Sequence, residues 1–365
     1  MSNERLKILI AAGGTGGHVF PAIAIADEIR KQKSATEFLF VGTKGKIESR
    51  VVPQRGYALK TIWISGFHRS ARIENLLFPV KVLVSLVQSF FLMKQFQPDI
   101  VIGTGGYVCG PVLYMASLLG IPLVVHESNS FPGITTRLLS TRATRVFTAF
   151  SATAHWLKRK DNIVLTGTPT RDVLGTVSHE EGIKFFNLEP SKKTVFVFGG
   201  SLGAASINEA IKMLVNELID ANIQWIWQTG KTDEVLVREF KNIKNCRVNT
   251  FIDRIEYAYA AADIVVCRAG ASTLAELTRL GKALILIPYP YAAADHQTFN
   301  AQTLVDAGAA VMIADRDVKM KIKETLSSLM DDDKKRLHMS EAGRALGKPN
   351  AGREIAQRIL ELIHD

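Results

Sequence analysis

Cysteine is scarce in this chain: Cys109, Cys246 and Cys267 are its only three in 365 residues, and no two are spaced as C-x-x-C. That pattern excludes a disulfide framework and a cysteine zinc site. It fits a reducing compartment in which the three serve as small buried hydrophobes. Long apolar runs are missing as well. The run over residues 6–12 is interrupted by Lys7 and ends in glycines, so no signal peptide is expected and the chain is expected to stay in the cytoplasm. The greasiest segment, 76–93, carries Pro79, Lys81, Ser85, Gln88 and Ser89, which is poor material for a spanning helix but compatible with one lying on a membrane. No Gly-Lys is followed by Ser or Thr at P-loop spacing. A dinucleotide fingerprint would need glycine where Val19 stands, and an acidic residue where the second strand runs into Gly42-Thr43-Lys44. NAD chemistry and ATP hydrolysis are thereby disfavoured. There is no RNP-like strand, zinc finger or basic helix with interleaved aromatics, so nucleic acid is not an expected partner. Low-complexity segments are absent too.

What is present is a soluble, globular composition, 47% hydrophobic and 22% charged, long enough for two ordinary cores. The net charge of +10 is uneven. Residues 1–170 hold 20 Lys and Arg against 9 Asp and Glu, an excess of +11, whereas residues 171–365 hold 25 against 26. A basic first half points to an anionic partner, and with nucleic acid disfavoured an acidic lipid surface is the better reading. Trp63, Phe67, Leu76, Leu77 and Phe78, near Arg69, Arg72 and Lys81, are the candidate membrane-docking patch. A plain core helix over 76–93 is the alternative.

Short β-rich runs alternate with helical stretches throughout. Strands are expected near Lys7, Glu37, Leu59, Asp99, Leu123, Arg145 and Ile163, and again near Thr194, Ile223, Arg247, Asp263, Ala283 and Ala310. This is the α/β pattern of parallel sheets with crossover helices. The series restarts at residue 194 with a second strand, glycine loop and helix. The expected architecture is therefore two doubly wound, Rossmann-like α/β domains facing a cleft. The first covers 1–167 and is completed by a terminal helix over 350–365; a linker over 168–190 leads to the second at 191–349.

Ala11-Ala12-Gly13-Gly14-Thr15-Gly16-Gly17-His18 turns the first strand into a helix through four glycines in five positions. Such a loop lets backbone amides and a helix amino terminus approach an anion or polar ligand, with His18 in the first turn. Gly103 to Pro111, His126-Glu127-Ser128-Asn129, Gly199 to Ala204, Cys267 to Glu276 and Asp295 to Ala301 likewise follow strands. Each alone could be turn chemistry or a helix cap; their convergence on strand exits favours a binding rim. Glu276 can accept two hydrogen bonds from a ribose diol, against the plainer reading of a solvated helix face. Asp315-Arg316-Asp317 has the look of a D-x-D metal motif, but its place between a strand and a helix predicts capping. Asp331-Asp332-Asp333 reads as a break and cap between helices.

The ordered set GGTGGH, TGGYxxGP, HExN, GGSxGA, RAGAxTxxE and HQxxNA resembles the MurG family of glycosyltransferases along essentially the whole chain. The resemblance implies the two-domain GT-B fold and a peripheral enzyme on the cytoplasmic face of the plasma membrane. Its implied reaction moves GlcNAc from UDP-GlcNAc to the C4 hydroxyl of MurNAc in lipid I, giving lipid II for peptidoglycan. It places Ser201 on the donor phosphates, Ile252 on uracil through its backbone and Glu276 on the ribose. Thr15, Gly16, Gly17, Asn129, Arg171 and Gln297 are further donor contacts. Tyr107, Arg268, Ala271, Ser272, Thr273, Leu274, Ala275 and His296 complete the implied substrate site. Ser128 stands where the family has Gln, and Gly167-Thr168-Pro169-Thr170-Arg171 replaces GNPVR.

An inverting displacement needs a base and neutralisation of the departing diphosphate. His18 is the first candidate base, with Glu127 and His126 behind it, while the amides of residues 201–204 meet the diphosphate without a metal or other cofactor. Implied partners are UDP-GlcNAc, lipid I, an anionic membrane surface and cell-wall synthesis proteins. Two rivals stand beside this reading. A UDP-GlcNAc 2-epimerase would not need a basic, apolar domain, and a non-catalytic lipid-binding protein would need neither Glu276 nor Gln297.

Overall fold

The computed structural model describes residues 5–66, 77–218 and 222–364. The chain divides into two compact units, residues 1–170 with 349–365, and residues 171–348. Phe67, Arg69, Arg72 and Leu76 of the expected docking patch lie outside the described residues.

In the first unit seven strands form one parallel sheet: β1 (Leu6–Ala12), β2 (Thr36–Gly42), β3 (Ala58–Thr61), β4 (Ile100–Gly105), β5 (Leu123–Glu127), β6 (Arg145–Thr148) and β7 (Ile163–Leu165). Their order is β3-β2-β1-β4-β5-β6-β7. The helices are α1 (Gly16–Gln32), α2 (Ile47–Gln54), α3 (Phe78–Phe96), α4 (Cys109–Leu118), α5 (Ile134–Leu139) and, from the chain end, α14 (Ala351–His364). Because both faces of a parallel sheet are covered, its strands are apolar runs rather than alternating ones, and β1 shows why. Leu6, Ile8, Ile10 and Ala12 join Val19, Ile23 and Ile29 of α1 and Ile355 and Ile359 of α14 in one core. Leu9 and Ala11 face the other, with Val112, Leu113 and Ala116 of α4. The period of two sends alternate residues to opposite layers.

The second unit repeats the plan with β8 (Lys193–Phe198), β9 (Ile223–Gln228), β10 (Cys246–Asn249), β11 (Ile264–Cys267), β12 (Ala283–Leu286) and β13 (Val311–Met312), in the order β10-β9-β8-β11-β12-β13. Its helices are α6 (His179–Phe185), α7 (Ala205–Glu217), α8 (Glu234–Phe240), α9 (Ile255–Ala261), α10 (Ala271–Leu280), α11 (His296–Asp306), α12 (Val318–Met330) and α13 (Asp333–Leu346). Every expected strand is present, and the fold is two doubly wound α/β units. All three cysteines are buried and unpaired; burial pushes the Cys109 and Cys246 thiols up to about 12. Asp332 caps α13 by accepting the Lys335 amide proton at 2.8 Å.

The expected linker over 168–190 is corrected in part by α6. Ser178 Oγ accepts the Glu181 amide while Glu181 accepts the Ser178 amide, a capping box written as S-x-x-E. Gly182 lets α6 lie against the α9 backbone, and Phe185 stacks on Tyr257 at 4.3 Å. This packing binds the stretch from Arg171 onward to the second unit.

Helix α3 buries two serines on the face that packs Met93, Val82, Leu92 and Phe96 against the core. Ser85, Ser89 and Met93 are buried, whereas Leu83 and Phe91 are each 65% exposed and Val80 and Val87 nearly half exposed. The two buried hydroxyls donate to carbonyls of their own helix, Ser85 to Val82 and Ser89 to Ser85, so small polar residues face inward at little cost. Among the described residues no helix is long and apolar enough to cross a membrane.

The core of the second unit contains a polar anchor built on Trp227. The fully buried Trp227 donates its indole N–H to Asn208 Oδ1 at 3.1 Å, and Asn208 Nδ2 donates to the Thr229 carbonyl and to Asp233. Asn208→Ala would strand the indole N–H without an acceptor, so a loss of roughly 1–3 kcal/mol is expected, read as a lower denaturant midpoint for the second unit.

Candidate active site

In each sheet the strand order reverses beside the first strand, between β1 and β4 and between β8 and β11. Ligands of open α/β sheets bind at such switch points, outside the carboxyl ends of the strands. In the first unit that position is occupied by residues 13–18 and 105–110. Helix α1 starts after Thr15 with no acidic residue in its first turn, leaving its amide end suited to negative charge. Thr15 and Gly17 are exposed, Gly16 and His18 half-buried. The Thr104 hydroxyl donates to the His18 carbonyl at 2.8 Å, tying the helix start to β4. Tyr107 is 54% exposed on the same rim.

The three candidate bases differ sharply in what already engages them. Glu127 is buried, and its carboxylate accepts four hydrogen bonds: from Asn129 N–H and Nδ2 at Oε1, and from Gly133 N–H and the Thr136 hydroxyl at Oε2. Those four donors saturate its lone pairs. His126 is buried with Nε2 3.0 Å from the Gly167 carbonyl, which can only accept, so Nε2 carries the proton and Nδ1 faces the Ser128 hydroxyl. Burial pushes its pKa below the ordinary imidazole range and keeps it neutral. His18 places Nδ1 3.1 Å from the Gly13 carbonyl and 3.3 Å from Thr15 Oγ1. A carbonyl must receive that proton, so in the neutral ring the unprotonated lone pair is on Nε2. Asn129 is half-buried and bound into the Glu127 turn.

In the second unit Gly199 to Ala204 leave β8 and open α7, again with no acid in the first turn. Gly200 and Gly203 have φ of +100° and +87°, and a Cβ on Gly203 would sit 2.1 Å from the Thr229 carbonyl, so only glycine serves there. Ser201 is exposed on this loop. Ile252 is buried, and its N–H donates to Gln228 Oε1 at 3.0 Å; Gln228 Nε2 in turn donates to the Gly200 carbonyl at 3.1 Å. Residues 271–275 begin α10, where the Ser272 hydroxyl oxygen is buried with no hydrogen-bond partner, an unmet polar group at the head of the helix. One turn on, Glu276 accepts both arms of Arg171, at 2.9 and 3.0 Å, and the hydroxyl of the buried Tyr259 at 3.1 Å. His296 and Gln297 open α11 after Ala294 and Asp295, two consecutive non-glycine residues at φ of +52° and +55°. Such a pair is strained backbone of the kind found at working sites. Gln297 Oε1 accepts the Tyr289 amide and His296 Nδ1 donates to the Ala293 carbonyl.

One expectation changes here. Asp315 and Asp317 make no side-chain cap to α12. Asp315 instead accepts from Arg268 Nη1 and from the Ser206 hydroxyl, and Arg268 also donates to the Ile287 and Pro288 carbonyls. Arg268 thus ties the exits of β11, β12 and β13 to the start of α7. Gln228 and Tyr259, which sequence reasoning missed, are hydrogen-bonded to candidate site residues distant in the chain, Gln228 to Gly200 and Ile252 and Tyr259 to Glu276.

Residues 8–148 match the glycosyltransferase family 28 N-terminal domain and residues 194–359 the family's C-terminal domain. The chain belongs to glycosyltransferase family 28. It is 42% identical to the UDP-N-acetylglucosamine--N-acetylmuramyl-(pentapeptide) pyrophosphoryl-undecaprenol N-acetylglucosamine transferase of Flavobacterium psychrophilum, covering 99% of this chain and 98% of that protein. It is 43% identical to the protein of the same name from Prosthecochloris aestuarii, covering 98% and 100%. The crystal structure of Acinetobacter baumannii MurG superposes with a TM-score of 0.77 at 29% identity, over 98% of this chain and 99% of that one. The UDP-GlcNAc 2-epimerase of Neisseria meningitidis bound to UDP-GlcNAc gives a TM-score of 0.67 at 14% identity over 98% and 100%, a likeness of fold alone. Family 28 membership places this chain among glycosyltransferases, and the two glycine loops lie inside the two matched domains.

Within that family reading, Glu276 is the most exposed to test. Glu276→Ala removes a carboxylate suited to a ribose diol and also strands Arg171. UDP-GlcNAc affinity is expected to fall about ten- to a hundred-fold, roughly 1.5–3 kcal/mol, by calorimetric titration. Unchanged affinity would move the donor site elsewhere.

Proposed function

We propose that this protein transfers GlcNAc from UDP-GlcNAc to the C4 hydroxyl of MurNAc in undecaprenyl-pyrophosphoryl-MurNAc-pentapeptide, inverting the anomeric centre. The observation that carries this reading is whole-length identity of 42% and 43% with enzymes named for that transfer; local geometry supplies the roles. The second unit holds the donor: Glu276 takes the ribose by exchanging Arg171 donors for ribose hydroxyls, the Ile252 carbonyl takes a uracil N–H while its amide, committed to Gln228, holds the strand exit in place, and residues 201–204 meet the diphosphate. The first unit supplies the base. As the acceptor O4 bonds to C1, the bond from C1 to the phosphate oxygen breaks, UDP leaves with the electron pair, and the O4 proton passes to Nε2 of His18. Imidazole is the side chain suited to that task near neutral pH. The reading requires no metal, and turnover is expected to persist in excess chelator.

The decisive assay follows labelled sugar. With UDP-GlcNAc and lipid I, label is expected in lipid; label confined to UDP-sugar with C2 inverted would mark an epimerase, and no turnover a binding protein. His18→Ala should lower kcat by about 10²- to 10⁴-fold while UDP-GlcNAc still binds. A near-normal kcat would remove His18 from the chemistry.

The enzyme is further proposed to work at the cytoplasmic membrane face, docked through α3. A row of outward Val80, Leu83, Val87 and Phe91 beside Lys81, with Trp63 48% exposed and its ring 5.9 Å from Lys81 Nζ, combines apolar surface with positive charge. Leu83→Asp with Phe91→Asp should lower sedimentation with anionic vesicles and leave donor affinity intact. Unchanged sedimentation would reject α3 as the docking face.

A further inference from the structure

Glu48, the second residue of α2, is fully buried behind the first glycine loop. Three donors converge on it, the arrangement an ionised carboxylate demands. Thr43 gives its amide to Oε1 at 3.0 Å and its hydroxyl to the same oxygen at 2.6 Å, which turns Oε2 toward the Gly14 amide at 3.1 Å. The Gly14 N–H and the Gly13 carbonyl belong to one planar peptide group. On the far side of that group the Gly13 carbonyl accepts from Nδ1 of His18. Carboxylate, peptide and imidazole therefore form a continuous line of hydrogen bonds.

The line is held tightly. A Cβ on Gly13 would meet Glu48 Oε1 at 2.7 Å, and one on Gly106 would meet the Gly13 carbonyl oxygen at 2.2 Å, so the peptide is wedged between the acid and the loop after β4. The space for the acid itself depends on Gly42, where a Cβ would lie 2.6 Å from Glu48 Cγ.

We propose that Glu48 is a positioning residue for the transfer reaction, acting through the Gly13–Gly14 peptide to hold His18 with its proton on Nδ1 and its basic lone pair on Nε2. An amide whose N–H donates to a carboxylate presents a more polar carbonyl, and a chain of such bonds strengthens each member. The stronger the Gly13 acceptor, the more firmly Nδ1–H is retained and the better Nε2 accepts a second proton. This is the part played by an aspartate behind a catalytic histidine, with a peptide group interposed. The proposal rests on His18 as the base. Among the described residues His126 of β5, kept neutral by burial, also bears on His18, and Glu127 next to His126 is saturated by its four donors.

Glu48→Gln keeps the shape but cannot accept from both Thr43 and Gly14. In lipid I transfer assays it should lower kcat about ten-fold, a fraction of what a whole base contributes, with KM for UDP-GlcNAc unchanged. The acidic limb of its kcat profile should move to lower pH, because loss of the carboxylate favours neutral imidazole. Adding Glu48→Gln to His18→Ala should cost nothing further. The same rate loss in the His18→Ala background, or a wild-type kcat and acidic limb in the single variant, would overturn the relay. Near-normal kcat in His18→Ala alone would instead sink the base assignment, a separate failure. Should the Gln variant not fold, nitrogen-15 NMR of His18 in the native protein decides: a neutral ring protonated at Nδ1 supports the relay, and one protonated at Nε2 refutes it.

Discussion

Both units depend on one constraint: the backbone leaving the switch-point strand must be stripped of side chains so that its amides can meet a ligand, yet it must not move. Glycine satisfies the first demand and defeats the second, because it has the most conformational freedom to lose. Each unit answers with a polar clamp from the strand next door. In the first, Glu48, just beyond β2, grips the Gly14 amide. In the second, Gln228 at the end of β9 grips the Gly200 carbonyl and the Ile252 amide together. β2 flanks β1 as β9 flanks β8, so both clamps come from the same side of the switch-point strand, Glu48 from the helix after β2 and Gln228 from the end of β9 itself. A carboxylate can only accept and so fixes amides, whereas a carboxamide does both and can join a glycine loop to a second strand exit.

Helix α3 shows how far outward apolar surface can be reconciled with a stable unit. Its fully buried residues are Ser85, Ser89 and Met93, small or flexible side chains set among Val82, Leu92 and Phe96, which pack partly buried against the core. The hydroxyls satisfy themselves within the helix, so no polar group is left unmet by their burial. Larger hydrophobes stand on the opposite face, where Leu83 and Phe91 are exposed among the described residues. Exposed apolar surface in a contiguous row is costly in water and marks a surface that meets something else.

The fold was legible in the sequence because parallel strands must be apolar on both faces: runs such as Lys7 to Ala12 and Thr194 to Phe198 stand out against their polar exits. The glycine loops and the residues after β11 and β12 were legible for the same reason, as polar clusters where an apolar run stops. The capping box at Ser178 and Glu181 was written in the sequence and overlooked because the surrounding Gly and Pro read as a linker. Three kinds of information were not legible. Which face of α3 points inward is decided by the sheet beneath it, since its serines and its leucines recur at helical spacing alike. Asp315 looked like a cap from its neighbours in the chain, but its partner, Arg268, is 47 residues away. Glu48 and Tyr259 each look like an ordinary helical residue until the fold brings a glycine loop or a carboxylate to them.

The distribution of charge in the second unit explains why amides rather than cations are assigned to the diphosphate. Arg171 and Arg268 are the two arginines among the expected donor contacts, and each is already matched, Arg171 by Glu276 in a two-armed pair and Arg268 by Asp315. The Arg268 pair is the more deeply set, with side-chain exposures of 12% and 21%, and its guanidinium is further occupied by Ser206 and two carbonyls. A phosphate drawing on Arg268 would have to displace a carboxylate that shares the same low-dielectric site, gaining one charge contact by losing another. The start of α7 carries no acid in its own first turn and no side-chain cap, and the carboxylate that reaches it, Asp315 on the Ser206 hydroxyl, is matched by Arg268. Its partial positive charge is therefore unopposed by any acid of that turn, and it lies on the glycine loop that the Gln228 clamp holds in place.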